Sequence, residues 1–247
     1  MLASSNLSYV RNVSLIDKDP RQISDLLKAS LVSNASIGYW ARKVYGFDLD
    51  YMFLTCRFKE AACSPSDFVY RYNYDYGNCY TFNSGFDAYG NRVEIKRVSE
   101  AGVDQGLSMD LFIGDDKFQN DFLSIWGARI IVHNQSISPI LASEGIDIAT
   151  GYQTSIGVRR TFISKLDEPY SDCIKNATSR LSYNSTFYRA MFDLLYISSY
   201  RQKSCVSLCL QEFLLAQCKC LDGSLPNIYD RSTIAVCSRL NELACLA

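Results

Sequence analysis

The chain has one histidine and no long apolar run, and both shortages narrow its chemistry before any motif is read. His133 lies among 247 residues in the apolar stretch Ile130-Ile131-Val132-His133-Asn134. A Cys/His or Ser/His nucleophile would have to use it, and a hydrogen-bonded strand histidine is the simpler reading. No window approaches the roughly 18 to 20 apolar residues that cross a bilayer. The most apolar stretch, near Ile125 to Val132, is broken by Arg129. No secretory leader is legible at Met1, because Leu2 to Leu7 is short, weakly apolar and without a basic flank. An excess of one charge is also missing. A net charge of -1 with 21% charged residues gives no electrostatic reason to expect nucleic acid. The carboxylates Asp147, Asp167 and Glu168 lack the spacing that specifies a glycosidase pair, and no phosphate-cradling glycine loop is present. Gly145, Gly151 and Gly157 recur at six-residue intervals, which is too little to define a repeat.

Cysteine, in contrast, is plentiful. Ten cysteines suit an oxidising compartment, since cytosolic thiols are kept reduced. Asn-x-Ser/Thr sequons agree, occurring at Asn6, Asn12, Asn34, Asn134, Asn176 and Asn184. Zinc is the competing use of the thiols, through Cys218-x-Cys220 and Cys205-x3-Cys209. That spacing departs from the Cys-x2-Cys pairs of structural zinc sites, so disulfides are expected and no metal or other cofactor. Extracellular chemistry without a legible export signal leads us to expect a piece of the ectodomain of a longer membrane protein.

With 48% apolar residues the chain can bury a substantial core. Residues 1 to about 50 read as a peripheral helical region, with short helical patterns around Ile23 to Leu31 and Trp40 to Tyr45. Cys56 and Cys63 enclose a loop short enough for a disulfide to close. From Phe68 the pattern turns to strands. Tyr70, Tyr72, Tyr74 and Tyr76 recur with period two, so an extended backbone would set all four rings on one face, for sheet packing rather than as a stacking platform for sugars or bases. Further strands are expected at Leu107 to Leu111, Ala128 to His133 and Ile156 to Ile163, punctuated by Gly102 to Gly106 and by Gly114-Asp115-Asp116. The last third changes to helical spacing, with Phe187, Met191, Leu194 and Leu195, and then Cys205, Leu208, Cys209, Phe213 and Ala216. Cys205 and Cys209 would sit one turn apart on one face.

Three blocks resemble a known family. Tyr76-Gly77-Asn78-Cys79-Tyr80-Thr81-Phe82-Asn83 is similar to the signature of the epithelial sodium channel/degenerin/acid-sensing ion channel family. Thr154-Ser155-Ile156-Gly157-Val158-Arg159-Arg160, leading into Leu166-Asp167-Glu168-Pro169-Tyr170-Ser171-Asp172-Cys173, resembles its strand and Pro-Tyr-x-x-Cys junction. Tyr200-x4-Cys205-x3-Cys209-x8-Cys218-x-Cys220 resembles its thumb helix and cysteine series.

The resemblance implies an α+β fold, with an antiparallel palm and β-ball, peripheral helices and a disulfide-rich helical thumb. The implied division is 1–55 as a finger-like helical region, 56–172 as knuckle, palm and β-ball, and 173–247 as an incomplete thumb. It implies pairing of Cys56 with Cys63, Cys218 with Cys245 and Cys220 with Cys237. Family members carry further cysteines, one upstream of the position of Cys56 and three beyond that of Cys245, so Cys79, Cys173, Cys205 and Cys209 are expected to have partners outside this chain. The segment Ile174 to Ile197 is longer than the family pattern leads us to expect. By the same resemblance the intact subunit would be non-enzymatic. It would sit in the plasma membrane with this portion on the extracellular side, and would join a homo- or hetero-trimer that passes sodium ions through a pore not contained here. Pro169 and Tyr170 occupy a place where the family has an aromatic contact to the first membrane helix, so a gating-coupling role is implied for them. The gating stimulus is open, and one histidine leaves little for histidine-based sensing near neutrality. A secreted disulfide-rich binding or decoy module, and less simply a cysteine enzyme, are the alternatives from other classes.

Overall fold

The computed structural model describes residues 43, 46–87, 89–114, 127–135, 137, 139–141, 143–173, 179–182, 188–189, 200–226, 228 and 234–246. Among these, small antiparallel sheets and short helices form an α+β arrangement. The patterns at Ile23 to Leu31 and Phe187 to Leu195, and nearly all of that at Trp40 to Tyr45, lie outside the described residues.

A one-turn helix α1 (Leu49–Met52) leads directly into β1 (Phe53–Phe58). β1 turns back through Lys59 and Glu60 into β2 (Ala61–Ala62), with Arg57 opposite Ala62 and Phe58 opposite Ala61. Both turn residues have positive φ, 51° and 66°, as a two-residue hairpin of the right twist requires. The other edge of β1 pairs antiparallel with β5 (Leu107–Leu111), which places Cys56 opposite Met109.

β3 (Phe68–Asn73) and β4 (Gly77–Phe82) form a separate hairpin. The strand ends at Asn73 because its side-chain Oδ1 accepts hydrogen bonds from the amides of Asp75 (2.8 Å) and Tyr76 (3.0 Å), bending the chain. Gly77, with φ of 69°, then supplies the left-handed residue that re-enters the ladder. The expected row of four tyrosines is therefore cut in half. Tyr70 and Tyr72 stand on the strand, whereas Tyr74 and Tyr76 belong to the turn and go separate ways.

Aromatic rings join the first sheet to this hairpin. Phe53 lies 4.9 Å from Phe68, Phe58 lies 5.6 Å from Phe82, and Phe68 and Phe82 are 5.3 Å apart. Each tilted pair contributes ~0.5–1.5 kcal/mol beyond the burial of its area. Phe68 is buried at their centre.

β6 (Gly127–Ile130) pairs antiparallel with β7 (Ile146–Ala149). The strand expected at Ala128 to His133 stops at Ile130, and His133 sits beyond it with Nδ1 2.9 Å from the carbonyl of Asn134. The strand expected at Ile156 to Ile163 is absent, since no described strand offers that segment a ladder partner, and Val158, Phe162 and Ile163 are exposed. Apolar alternation alone cannot satisfy a strand's amides.

The long helix α2 (Gln202–Cys218) and the short α3 (Leu240–Leu246) complete the fold. On α2 the expected apolar face is buried only at Leu208 and partly at Cys205. Ser204, Leu208 and Gln211 are buried, while Cys209, Phe213 and Ala216 face solvent. Two polar side chains thus lie inward on a helix whose apolar periodicity points mostly elsewhere.

Candidate functional site

The cysteines and the junctions around α2 carry most of the specific geometry. Cys56 and Cys63 are joined one position beyond the Arg57–Ala62 pair of the β1–β2 hairpin, with Cα atoms 5.3 Å apart and the Cys63 amide donating to the Cys56 carbonyl at 3.0 Å. The hairpin register itself brings these two side chains together, so bonding requires no backbone distortion.

At its C-terminus α2 closes on Lys219, whose left-handed backbone lets its amide reach the Leu215 carbonyl at 3.0 Å. This cap turns Cys220 inward. Cys220 bonds Cys237 across a Cα separation of 5.0 Å, and Leu221 bridges Val236 in parallel through two backbone hydrogen bonds. Cys218 bonds Cys245, tying the end of α2 to α3 at 5.9 Å. Glu242 fastens the start of α3, since its Oε2 accepts from the amides of Ser238 (2.9 Å) and Arg239 (3.0 Å).

Leu221, Val236, Cys220 and Cys237 form a small buried core, and Tyr72, Tyr74, Leu215 and Ile234 pack onto it. Tyr74 enters because Gly223 leaves room. A Cβ on Gly223 would stand 2.4 Å from the Tyr74 ring. Gln211 clamps the same loop from the helix. Its amide nitrogen donates to the Asp222 carbonyl (3.0 Å) and its oxygen accepts from the Asp222 amide (3.1 Å), which satisfies both faces of a fully buried side chain.

The start of α2 meets the β6–β7 ribbon. Arg129 Nε donates to the carbonyls of Leu141 (2.8 Å) and Glu144 (3.1 Å), and its Nη1 pairs with Asp147 at 2.6 Å. The Tyr76 ring lies over its guanidinium at 5.5 Å. Gly145, with φ of 119°, allows the close turn, since a Cβ there would lie 2.8 Å from Ile131 and 3.1 Å from Arg129 Nε. Glu144 faces α2, where its carboxylate pairs with Arg201 and lies 3.6 Å from Lys203. Burial works to raise its pKa, but the Ile140 amide, Arg201 and Lys203 together hold it below the ordinary glutamate value. A cleft of about 580 Å³ opens beside this pair, lined by Ile131, His133, Ile156, Val158, Arg159 and Arg201 among others.

The Pro169-Tyr170 turn is fastened without the Tyr170 side chain: the amides of Tyr170 (3.0 Å) and Ser171 (3.4 Å) both reach the Asp167 carbonyl, and the Ser171 hydroxyl donates to that of Leu166. The Glu168–Pro169 peptide is cis. The Tyr170 ring is left 77% exposed.

Cys79, Cys173 and Cys205 are half-buried thiols and Cys209 is exposed, none in a disulfide. Burial pushes the Cys79 thiol up to about 11, so it is a poor thiolate and a poor nucleophile at neutral pH. Of the sequons, Asn134 lies on an exposed stretch after β6. Asn6, Asn12, Asn34, Asn176 and Asn184 fall outside the described residues.

Sequence reasoning did not single out Glu144, Arg201, Arg129 or Gln211. Glu144 and Arg201 are far apart in the chain and carry no periodic signal. Gln211 was visible only as a polar residue inside a helical pattern. Among the described residues no helix is long and apolar enough to cross a membrane, and no three histidine, cysteine or acidic side chains cluster to hold a metal ion.

Comparison with known proteins follows the same chain. The family model described as amiloride-sensitive sodium channel matches residues 12–247. The gamma subunit of the epithelial sodium channel of Neoceratodus forsteri is 33% identical over 175 residues, covering 71% of this chain and 24% of that subunit. Gamma-2 of Xenopus laevis is 31% identical over 204 residues, 82% of this chain and 27% of that subunit. The human alpha subunit is 31% identical over 169 residues, 67% of this chain and 22% of that subunit. The chain thus spans about a quarter of the length of the curated relatives it matches. A match over nearly the whole chain, reinforced by relatives at this identity, means that the chain belongs to the amiloride-sensitive sodium channel family.

Proposed function

We propose that the chain is an extracellular portion of a sodium-permeable, stimulus-gated cation channel subunit of the plasma membrane. The observation that carries this reading is the family match across residues 12–247. The cysteine-linked, sequon-bearing character of the chain supports an extracellular setting. In this reading residues 1–55 are finger-like, 56–172 hold knuckle, palm and β-ball, and α2, α3 and their disulfides are the thumb. The subunit joins a homo- or hetero-trimer, and sodium ions cross a pore built outside this stretch. Cys79, Cys173, Cys205 and Cys209 take disulfide partners from residues outside this chain.

Tyr170 is the residue we assign to coupling. Its exposed ring projects from a turn held by main-chain hydrogen bonds and the Ser171 hydroxyl, so the side chain is available for a packed contact with a neighbouring membrane helix. Tyr170→Ala in the intact subunit is expected to reduce stimulus-evoked current at unchanged surface density, and Tyr170→Trp, which keeps an aromatic ring, to be tolerated far better. Whole-cell current normalised to surface-labelled protein reads the difference. Normal gating by the alanine variant at equal surface density would remove the coupling role.

A further inference from the structure

The first turn of α2 is assembled against its own electrostatics. Arg201 is the N-cap and Lys203 the second helical residue, no acidic residue lies in the first turn, and the N-cap side chain makes no capping hydrogen bond. A helix N-terminus carries partial positive charge, so cations there oppose the helix. The Arg201 amide is met by the Tyr188 hydroxyl at 3.0 Å, but that contact supplies no negative charge.

The charge comes from elsewhere in the chain. Glu144, 57 residues before Arg201, projects its carboxylate from the loop between β6 and β7 against Arg201 and Lys203, while its other oxygen accepts from the Ile140 amide at 3.1 Å. The Glu144 and Arg201 side chains are only 19% and 18% exposed, so solvent screens the pair weakly. The loop is also a firm base. Arg129 pins the carbonyls of Leu141 and Glu144, Asp147 holds Arg129, and Gly145 packs so closely that a Cβ there would meet Ile131 and Arg129. Among the described residues that line the cleft, Arg159 adds to the positive side.

We propose that Glu144 is a remote electrostatic cap for α2. It is a positioning residue that latches the β6–β7 loop to the helix start and keeps the first turn, with Cys205, in place. This concerns the chain's own architecture and stands apart from the channel reading.

Hydrogen exchange on the 247-residue chain, secreted by a glycosylating host, tests it. Glu144→Gln keeps the hydrogen-bonding shape but removes the charge. It is expected to speed exchange of the Cys205 to Leu208 amides about tenfold while leaving Gln211 to Cys218 nearly unchanged. With Arg201→Met and Lys203→Met also present, the cations no longer need a partner, and the effect of Glu144→Gln should fall below about threefold. Unchanged exchange at Cys205 to Leu208, or an equal rise along the whole helix, would overturn the proposal. Should Glu144→Gln alone fail to fold, the double-methionine background with and without it carries the same comparison, and a difference of about tenfold there would overturn the proposal as well.

Discussion

Gln211→Leu isolates one structural contact at little change in volume. The wild-type amide satisfies both the N–H and the C=O of Asp222 at 3.1 and 3.0 Å, and the side chain is fully buried. Leucine leaves the Asp222 amide without this partner, and leaves its carbonyl with only the longer contact from the Leu225 amide at 3.4 Å. The unpaired amide costs about 1–3 kcal/mol and the weakened carbonyl contact adds to it, partly offset by the apolar burial leucine gains, so the net loss should be about 1–3 kcal/mol. Against a total stability of ~5–15 kcal/mol that is a large fraction. Urea unfolding of the oxidised chain reads it as a lower midpoint at an unchanged slope. Gln211→Glu sharpens the test, since a carboxylate can accept from the Asp222 amide but cannot donate to its carbonyl, whereas the protonated acid can do both. The glutamate variant should therefore gain stability relative to wild type as pH falls. A leucine variant within about 0.5 kcal/mol of wild type would refute the reasoning, because it would mean that the clamp is not made in solution or that water replaces it at no cost.

Other consequences follow from the same geometry. Glu144 has a folded pKa below its unfolded value, so its stabilisation is complete above the ordinary glutamate value and is lost as pH falls through the depressed one. The stability gap between wild type and Glu144→Gln should accordingly be present at neutral pH and close in that acid window, as read by unfolding midpoints across pH. Gly223→Ala places a methyl 2.4 Å from the Tyr74 ring and should cost about 1–3 kcal/mol, whereas the double variant with Tyr74→Leu should recover part of the loss in the same assay. Replacing Cys220 and Cys237 together by serine opens a loop with sequence separation 17 and should cost about 3 kcal/mol, measured against the oxidised chain. Asn134→Gln should remove one glycan-sized step on gels of chain secreted from a glycosylating host; an unchanged mobility would remove Asn134 from the glycosylated set.

Some of the architecture is written locally. The alternation Leu107-Ser108-Met109-Asp110-Leu111 marks β5 with its observed limits, because a short strand beside β1 needs little else. Helical spacing marks α2, but only part of its buried face, because a buried Gln211 is tolerable only once the Asp222 backbone is in reach, a contact no periodicity encodes. The tyrosine row at Tyr70 to Tyr76 ended early for a similar reason. Asn73 and Gly77 make a turn whose chemistry overrides the alternation. β7 is only four residues long and needs Gly145 before it and β6 beside it, so Ile146 to Ala149 gives almost no signal alone. The reverse held at Ile156 to Ile163, where apolar alternation promised a strand that no described neighbour pairs. Cysteine spacing alone does not decide which of ten thiols join; loop length pointed to Cys56 with Cys63, and only the resemblance to a known family suggested the other pairs. The Glu144–Arg201 contact joins charges that only the tertiary fold brings together.

The proposed role of this stretch as the extracellular part of a gated sodium channel subunit can be tested in a chimera. Residues 53–245 would replace the matching stretch of an epithelial sodium channel gamma subunit, co-expressed with its partner subunits, and amiloride-sensitive sodium current would be recorded per unit of surface-labelled protein. Current well above that of cells lacking the chimera is expected, with a loss of that current when Tyr170→Ala is introduced at equal surface density. A chimera that reaches the surface in normal amount and carries no amiloride-sensitive current would contradict it.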